Sequence, residues 1–163
     1  MSSFQLVGLP HQPFEQLFDL SDRELAEVSA VRVTAGEKPG FPCRISLADA
    51  EVGEELLLLP FSHQPANSPY KASGPIYVRR RVRQRILEAG EIPDCVRLRL
   101  MSLRAYDDRH MIVSAAVCEG REVAAEIERH FNDEQVRYIH LHNARRGCYS
   151  CLVRRVPSPA AGP

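Results

Sequence analysis

Glu55-Leu56-Leu57-Leu58-Leu59-Pro60-Phe61 is the stretch on which the fold turns. Side chains of a strand alternate between two faces, so four consecutive leucines put apolar groups on both faces at once. A strand with that pattern belongs in the interior of a sheet, covered above and below.

The neighbouring segments are short and bounded by turn residues. Toward the N-terminus, Cys43 to Leu47 reads as a strand, and Val31, Val33 and Ala35 alternate with polar partners as another. Ser21 followed three residues later by Glu24 is a capping box, which starts a helix with Leu25 and Val28 on one face. Phe14 to Phe18 fits a brief helical turn after Pro13, and Phe4 to Val7 a first strand ended by Gly8-Leu9-Pro10. Toward the C-terminus, Pro75 to Val82 and Cys95 to Leu103 read as strands, with Arg80 to Gly90 between them as a helix or long hairpin connection. Asp107-Asp108-Arg109-His110 has the chemistry of a hairpin tip leading into Met111 to Val117. Val123, Ile127 and Phe131 share one face of a helix from about Arg121 to Asn132, and Val136 to His142 and Tyr149 to Val156 supply two more strands. About seven strands joined mostly by turns predict an α+β fold, with a largely antiparallel sheet and two or three helices on one face. One domain is expected over residues 1–156. The tail Pro157-Ser158-Pro159-Ala160-Ala161-Gly162-Pro163 has too little to bury and is expected to be mobile.

Composition narrows the classes of function. The 163 residues are 44% hydrophobic and 26% charged, an ordinary globular mixture. With 21 basic against 21 acidic residues, no overall field recruits nucleic acid or an anionic membrane. No apolar run reaches the roughly 18 residues of a membrane span, and the start, Met1-Ser2-Ser3-Phe4, has no secretory pattern. A cytoplasmic location is expected. Five irregularly spaced cysteines do not form a disulfide framework, and Cys95 and Cys118, among apolar neighbours, are expected to be small core residues.

Polar chemistry gathers in two places. In Tyr138-Ile139-His140-Leu141-His142-Asn143 the two histidines fall on one face of a strand, about 6 to 7 Å apart, while Ile139 and Leu141 face the core. That face is either solvated or a base, substrate or metal site. Beyond it lies Arg145-Arg146-Gly147-Cys148-Tyr149-Ser150-Cys151. His140, His142, Cys148 and Cys151 are zinc-type ligands, but an extended chain holds the two cysteines about 10 Å apart on opposite faces. Only a tight knuckle at Gly147 would unite them. Cys148, beside two arginines, is also a candidate nucleophile.

The second place is His63 to Gly74, a loop stiffened by Pro65 and Pro69 and followed by Pro75, where His63, Tyr70, Lys71 and Ser73 can bind an anion or polarise a carbonyl. Arg44, opening a strand after Gly40-Phe41-Pro42-Cys43, is a further anion partner. The run Arg79-Arg80-Arg81-Val82-Arg83-Gln84-Arg85 can grip phosphates, but Glu88, Glu91 and Asp94 follow closely, so a solvated face is the stronger expectation.

Pro39-Gly40-Phe41-Pro42-Cys43-Arg44, Glu54-Glu55-Leu56-Leu57-Leu58, His63-Gln64-Pro65, Ser68-Pro69-Tyr70, Ser73-Gly74-Pro75-Ile76 and Tyr138 to Asn143, in this order, resemble the uncharacterised bacterial family catalogued as domain of unknown function 1203. The resemblance runs from about Phe4 to Val156. It implies a bacterial single-domain protein and supplies no activity, cofactor or catalytic residue.

The leading expectation is a small-molecule (metabolite) binding protein or enzyme. Its site would lie where the His63 to Gly74 loop meets the face of His140 and His142. One histidine acts as general base, Tyr70 or Ser73 orients the ligand, and Arg44, Asn143 or Arg145 binds its polar groups. Two alternatives remain open: a zinc-stabilised or structural interaction module held by His140, His142, Cys148 and Cys151, and nucleic-acid binding through Arg79 to Arg85.

Overall fold

The computed structural model describes residues 3–157. Residues 158–163, most of the expected mobile tail, lie outside them. Ten strands occur among the described residues: β1 (Phe4–Val7), β2 (Val31–Thr34), β3 (Pro42–Cys43), β4 (Ala48–Asp49), β5 (Glu55–Gln64), β6 (Ala72–Arg79), β7 (Leu100–Tyr106), β8 (Ile112–Glu119), β9 (Tyr138–Asn143) and β10 (Tyr149–Arg155). The helices are α1 (Gln12–Glu15), α2 (Asp22–Glu27), α3 (Asp94–Arg97) and α4 (Val123–Phe131), with 3-10 turns at Gln16–Asp19 and Gly120–Glu122.

The strands form two sheets of five instead of one of about seven. The first runs β1-β10-β9-β7-β8 and the second β2-β5-β6-β3-β4. Strand pairs are antiparallel except for β3 beside β6. Alternation states which side chains share a face; it does not state which strands pair. Here β1 pairs with β10, Phe4 opposite Arg155, across nearly the whole chain.

Leu56 to Leu59 occupy the interior of the second sheet, where β5 lies between β2 and β6. Leu57 and Leu59 pack with Ile76 and Val78 against Phe14, Phe18 and Leu25, which α1, the 3-10 turn after it and α2 supply. Leu56 faces the other way, into a cluster with Ala35 and Ala50. Both halves of the expected capping box form: Ser21 Oγ accepts from the Glu24 amide, and Glu24 Oε2 accepts from the Ser21 amide. In the first sheet, Met101, Leu103, Ala105, Ile139, Leu141, Cys151 and Val153 form one face, covered by Val123, Ile127 and Phe131 of α4.

Three local expectations fail for identifiable reasons. Residues 94–97 are helical, after Pro93 as cap, so the strand starts only at Leu100; Val96 is buried and Leu98 is 56% exposed, which breaks the apparent alternation. The segment Arg80 to Gly90 is neither helix nor hairpin. Main-chain bonds to other segments hold it, from Gly8 to Arg85, Arg85 to Ile45 and Leu87 to Leu6, with one bridge between Val7 and Ile86. Of Cys43 to Leu47 only Cys43 is in a strand, as the last residue of β3, and residues 44–47 form a turn with Leu47 at φ 50°.

The junction before α4 is close-packed. A β-carbon on Gly120 would lie 2.0 Å from the Val96 carbonyl oxygen and 2.7 Å from that of Arg97. Because backbone atoms are the obstacle, Gly120→Ala should destabilise the protein by about 3 kcal/mol, measured as a lower urea midpoint at unchanged slope.

Candidate functional site

The expected meeting of His63 with His140 and His142 takes place. On the outer face of the first sheet, register brings Ser102, His142 and Tyr149 into one row, and Tyr106 beside Tyr138 into another, with Arg104 opposite His140 between them. Strand β5 is longer than the sequence implies and carries His63 over this face. Only residues 65–71 of the expected loop connect strands. The His63 ring stacks on Tyr149 at 5.4 Å, and its centroid lies 5.0 Å from His142 and 6.3 Å from His140. His140 and His142 are 6.5 Å apart, as their shared face requires.

The face is not solvated. His140 is 5% exposed and His142 1%; His63 from the second sheet lies against both, with Phe61 on Tyr149 and Gln64 on Tyr138 beside it. Desolvation is the main cause that pushes His140 down to about 3 and His142 down to about 4, and it also lowers His63; Arg104 adds to the shift in all three. The three rings are therefore neutral at pH 7. His142 Nδ1–H donates to the Gly147 carbonyl at 3.0 Å, which fixes its tautomer. Its Nε2, His140 Nδ1 and both His63 nitrogens are buried without a hydrogen-bond partner.

The four zinc-type ligands of the alternative reading do not meet. Cys151 lies in the core on the Ile139 and Leu141 side of β10, opposite the imidazoles, because β10 continues extended with only a bulge after Tyr149. Cys148 opens instead on a separate cleft. Among the described residues no three His, Cys, Asp or Glu side chains are placed to hold a metal ion. All five cysteines are free.

That cleft, about 830 Å³, is lined by residues of the second sheet and by strand ends and the β9–β10 hairpin of the first. Arg44, Leu58, Pro75 and Tyr77 line it from the second sheet, and Asn143, Arg145, Arg146 and Cys148 from the β9–β10 hairpin. Gly147, at φ +80°, lets the hairpin turn back so that Gly147 N–H donates to Asn143 O and Asn143 N–H to Cys148 O. Exposed Glu37 and Glu119 also line the cleft. Arg99 lines it too, but Asp49 neutralises that guanidinium through two contacts of 2.6 and 3.0 Å.

Arg44 differs. It is 4% exposed, its Nε donates to the Tyr149 carbonyl at 2.7 Å and its Nη1 to the Pro42 carbonyl, and no carboxylate pairs with it among the described residues. Desolvation pulls its basicity below the usual guanidinium range. Tyr149 links the cleft residue Arg44 to the imidazole cluster. The Tyr149 carbonyl holds Arg44, and its ring stacks on His63.

The sequence-chosen residues thus separate into two adjacent groups, Arg44, Asn143, Arg145 and Cys148 in the cleft and His63, His140 and His142 behind it. Tyr70 and Ser73 join neither: Tyr70 is 38% exposed with its ring against Tyr106, and Ser73 is exposed on β6. In the basic run, Arg79 binds Glu54, Arg80 binds Asp19 and Glu55, and Arg85 binds Glu91. Three of its five charges are therefore paired. Sequence reasoning passed over Arg104, Tyr106 and Tyr149; the alternation Ser102, Arg104, Tyr106 on β7 was a signal for the first two.

An α+β protein of two five-stranded sheets, with an arginine-lined cleft between them and neutral imidazoles behind it, is the class these features define. The family model described as Protein of unknown function (DUF1203) matches residues 40–155, and the chain belongs to that family. The match begins at Gly40, so the helices packed under β5 precede it. No curated protein and no solved structure matches the chain. No helix among the described residues is long and apolar enough to cross a membrane.

Proposed function

We propose that the protein is a cytoplasmic metabolite-binding protein whose ligand is a small anion, carboxylate or phosphate, held in the cleft by Arg44, Arg145, Arg146 and Asn143. The single observation that carries this reading is the environment of Arg44. A buried charge is ordinarily paired, because taking an ion out of water costs several kcal/mol unless a counter-ion or a full set of hydrogen bonds replaces the water. Arg99, in the same cleft, obeys that rule through Asp49. Arg44 has carbonyls on two of its nitrogens and no acid, so an anion bound at the cleft completes its shell. Five free cysteines fit a reducing compartment. The imidazole cluster serves as rigid support behind the cleft and not as part of its lining, since the histidines do not line it and two of them are protonated only near pH 3 to 4.

The test is a thermal-shift panel of di- and tricarboxylates and phosphorylated metabolites against neutral analogues. A matching anion at 100 times its Kd should stabilise the protein by about 2.7 kcal/mol. The effect should fall at least about tenfold in affinity in the exposed-site variant R145A/R146A, which leaves Arg44 and the fold in place. If no anion raises the melting temperature, or that variant binds as tightly as the natural chain, the reading is wrong.

A further inference from the structure

Cys148 is placed differently from the other four cysteines. Cys43, Cys95 and Cys151 are at most 3% exposed. Burial drives Cys95 up to about 12 and Cys151 up as well, and Cys118, half-buried, stands near Glu119, Glu122 and Glu126, which raise it further. Three cysteines are thus sequestered and the fourth sits in negative surroundings. Cys148 lines the cleft in company with Arg44, Arg145 and Arg146. Its Sγ has one weak contact, 4.0 Å from the Arg146 carbonyl.

The second observation is independent of the sulfur: the nine-tenths-buried Arg44 lines the same cleft with no acid on its charge. A reagent that brings its own anionic group satisfies Arg44, Arg145 and Arg146 and delivers its reactive end to Cys148. We propose that Cys148 undergoes thiol–disulfide exchange with the disulfide of an anionic low-molecular-weight thiol, a step that rests on reading the cleft as an anion site. The Cys148 thiolate attacks one sulfur of R–S–S–R, a Cys148–S–S–R bond forms, and the reagent's S–S bond breaks. The leaving R–S⁻ takes up the proton that Cys148 lost. Cys148 is oxidised, one reagent sulfur is reduced, and excess free thiol reverses the step. Cys43, Cys95 and Cys151 are buried, so none of these three is exposed to attack the mixed disulfide, and an external thiol reverses the step.

The cleft's volume accommodates such a ligand, since sites for small molecules run from about 300 to 1,000 Å³. Glu37 and Glu119 are exposed, so solvent screens them, whereas the Arg44 charge is buried and acts at higher strength.

The full-length protein is treated with 3,3′-dithiodipropionic acid, bis(2-hydroxyethyl) disulfide and cystamine, which are anionic, neutral and cationic. Adduct formation is followed by intact mass and located by peptide mapping. Each rate is divided by that of a small free thiol with the same reagent. The anionic reagent should be favoured about tenfold over the neutral one, with cystamine slowest, and the preference should shrink in R145A/R146A and with added salt. C148S should form no adduct under the same conditions. Equal normalised rates across the three charges, or adducts on Cys118 in place of Cys148, overturn the proposal. Equal rates alongside a positive anion thermal shift overturn the exchange step and leave the cleft reading intact. Equal rates with no thermal shift remove both.

Discussion

Acidification from pH 7 to pH 4 should cost the fold on the order of 6 kcal/mol, about 3 from each of His140 and His142. Unfolded, each imidazole takes up a proton near pH 6.5; folded, His142 does so only at about 4 and His140 at about 3. Between those values the unfolded chain binds more protons, so stability rises with pH and falls with acid. The stabilisation is whole above about pH 6.5 and is lost progressively as pH falls through 4 and then 3. That loss is comparable to the total stability of a small domain, about 5 to 15 kcal/mol. His63, lowered in the same direction by burial, adds to it.

The interval from pH 6.5 to 5 is the diagnostic one. The carboxylates of Glu54, Asp94, Asp107 and Glu126 are held below their usual range by arginines or backbone N–H groups and do not titrate there. Urea unfolding at half-unit steps should show a slope approaching 2.7 kcal/mol per pH unit, about 1.36 for each histidine. H140Q/H142Q should lower the slope markedly, leaving the contributions of His63 and His130, which burial also lowers. A stability unchanged between pH 7 and pH 5 would mean that the imidazoles are not buried in neutral form.

Tyr149→Ala should destabilise the protein by about 4 kcal/mol and loosen the cleft together with the imidazole cluster. Tyr149 is 4% exposed, and its ring meets Phe61 and His63 of the second sheet and His140 and His142 of the first. Removing the ring leaves a cavity between the sheets that His63 alone cannot fill, and it frees the main chain whose carbonyl orients Arg44. Tyr149→Phe keeps the ring and should stay within about 1.5 kcal/mol of the natural chain. The comparison is made by differential scanning calorimetry with anion titration on both variants. Should Tyr149→Ala unfold like the natural chain, the two sheets are held by other contacts.

How much of this was legible depends on the range over which each interaction acts. Local chemistry could be read directly. Ser21 and Glu24 are three residues apart and cap the helix between them, Val123, Ile127 and Phe131 recur at helical spacing and seat α4, and Leu56 to Leu59 announce a strand buried on both faces. The pairing of His140 with His142 follows from period two alone, and so does the core position of Ile139 and Leu141.

Partners distant in sequence were decided only by the tertiary structure. Whether a strand face is wet or dry depends on what covers it, and His140 is desolvated because β5, some 80 residues earlier, extends far enough to lay His63 across it. Arg44 meets the Tyr149 carbonyl across 105 positions, and the division of ten strands into two sheets rests on pairings such as Phe4 with Arg155. Alternation and capping are properties of neighbouring residues and are written in the chain, whereas burial, the missing acid beside Arg44 and the cleft exist only once the two sheets are packed.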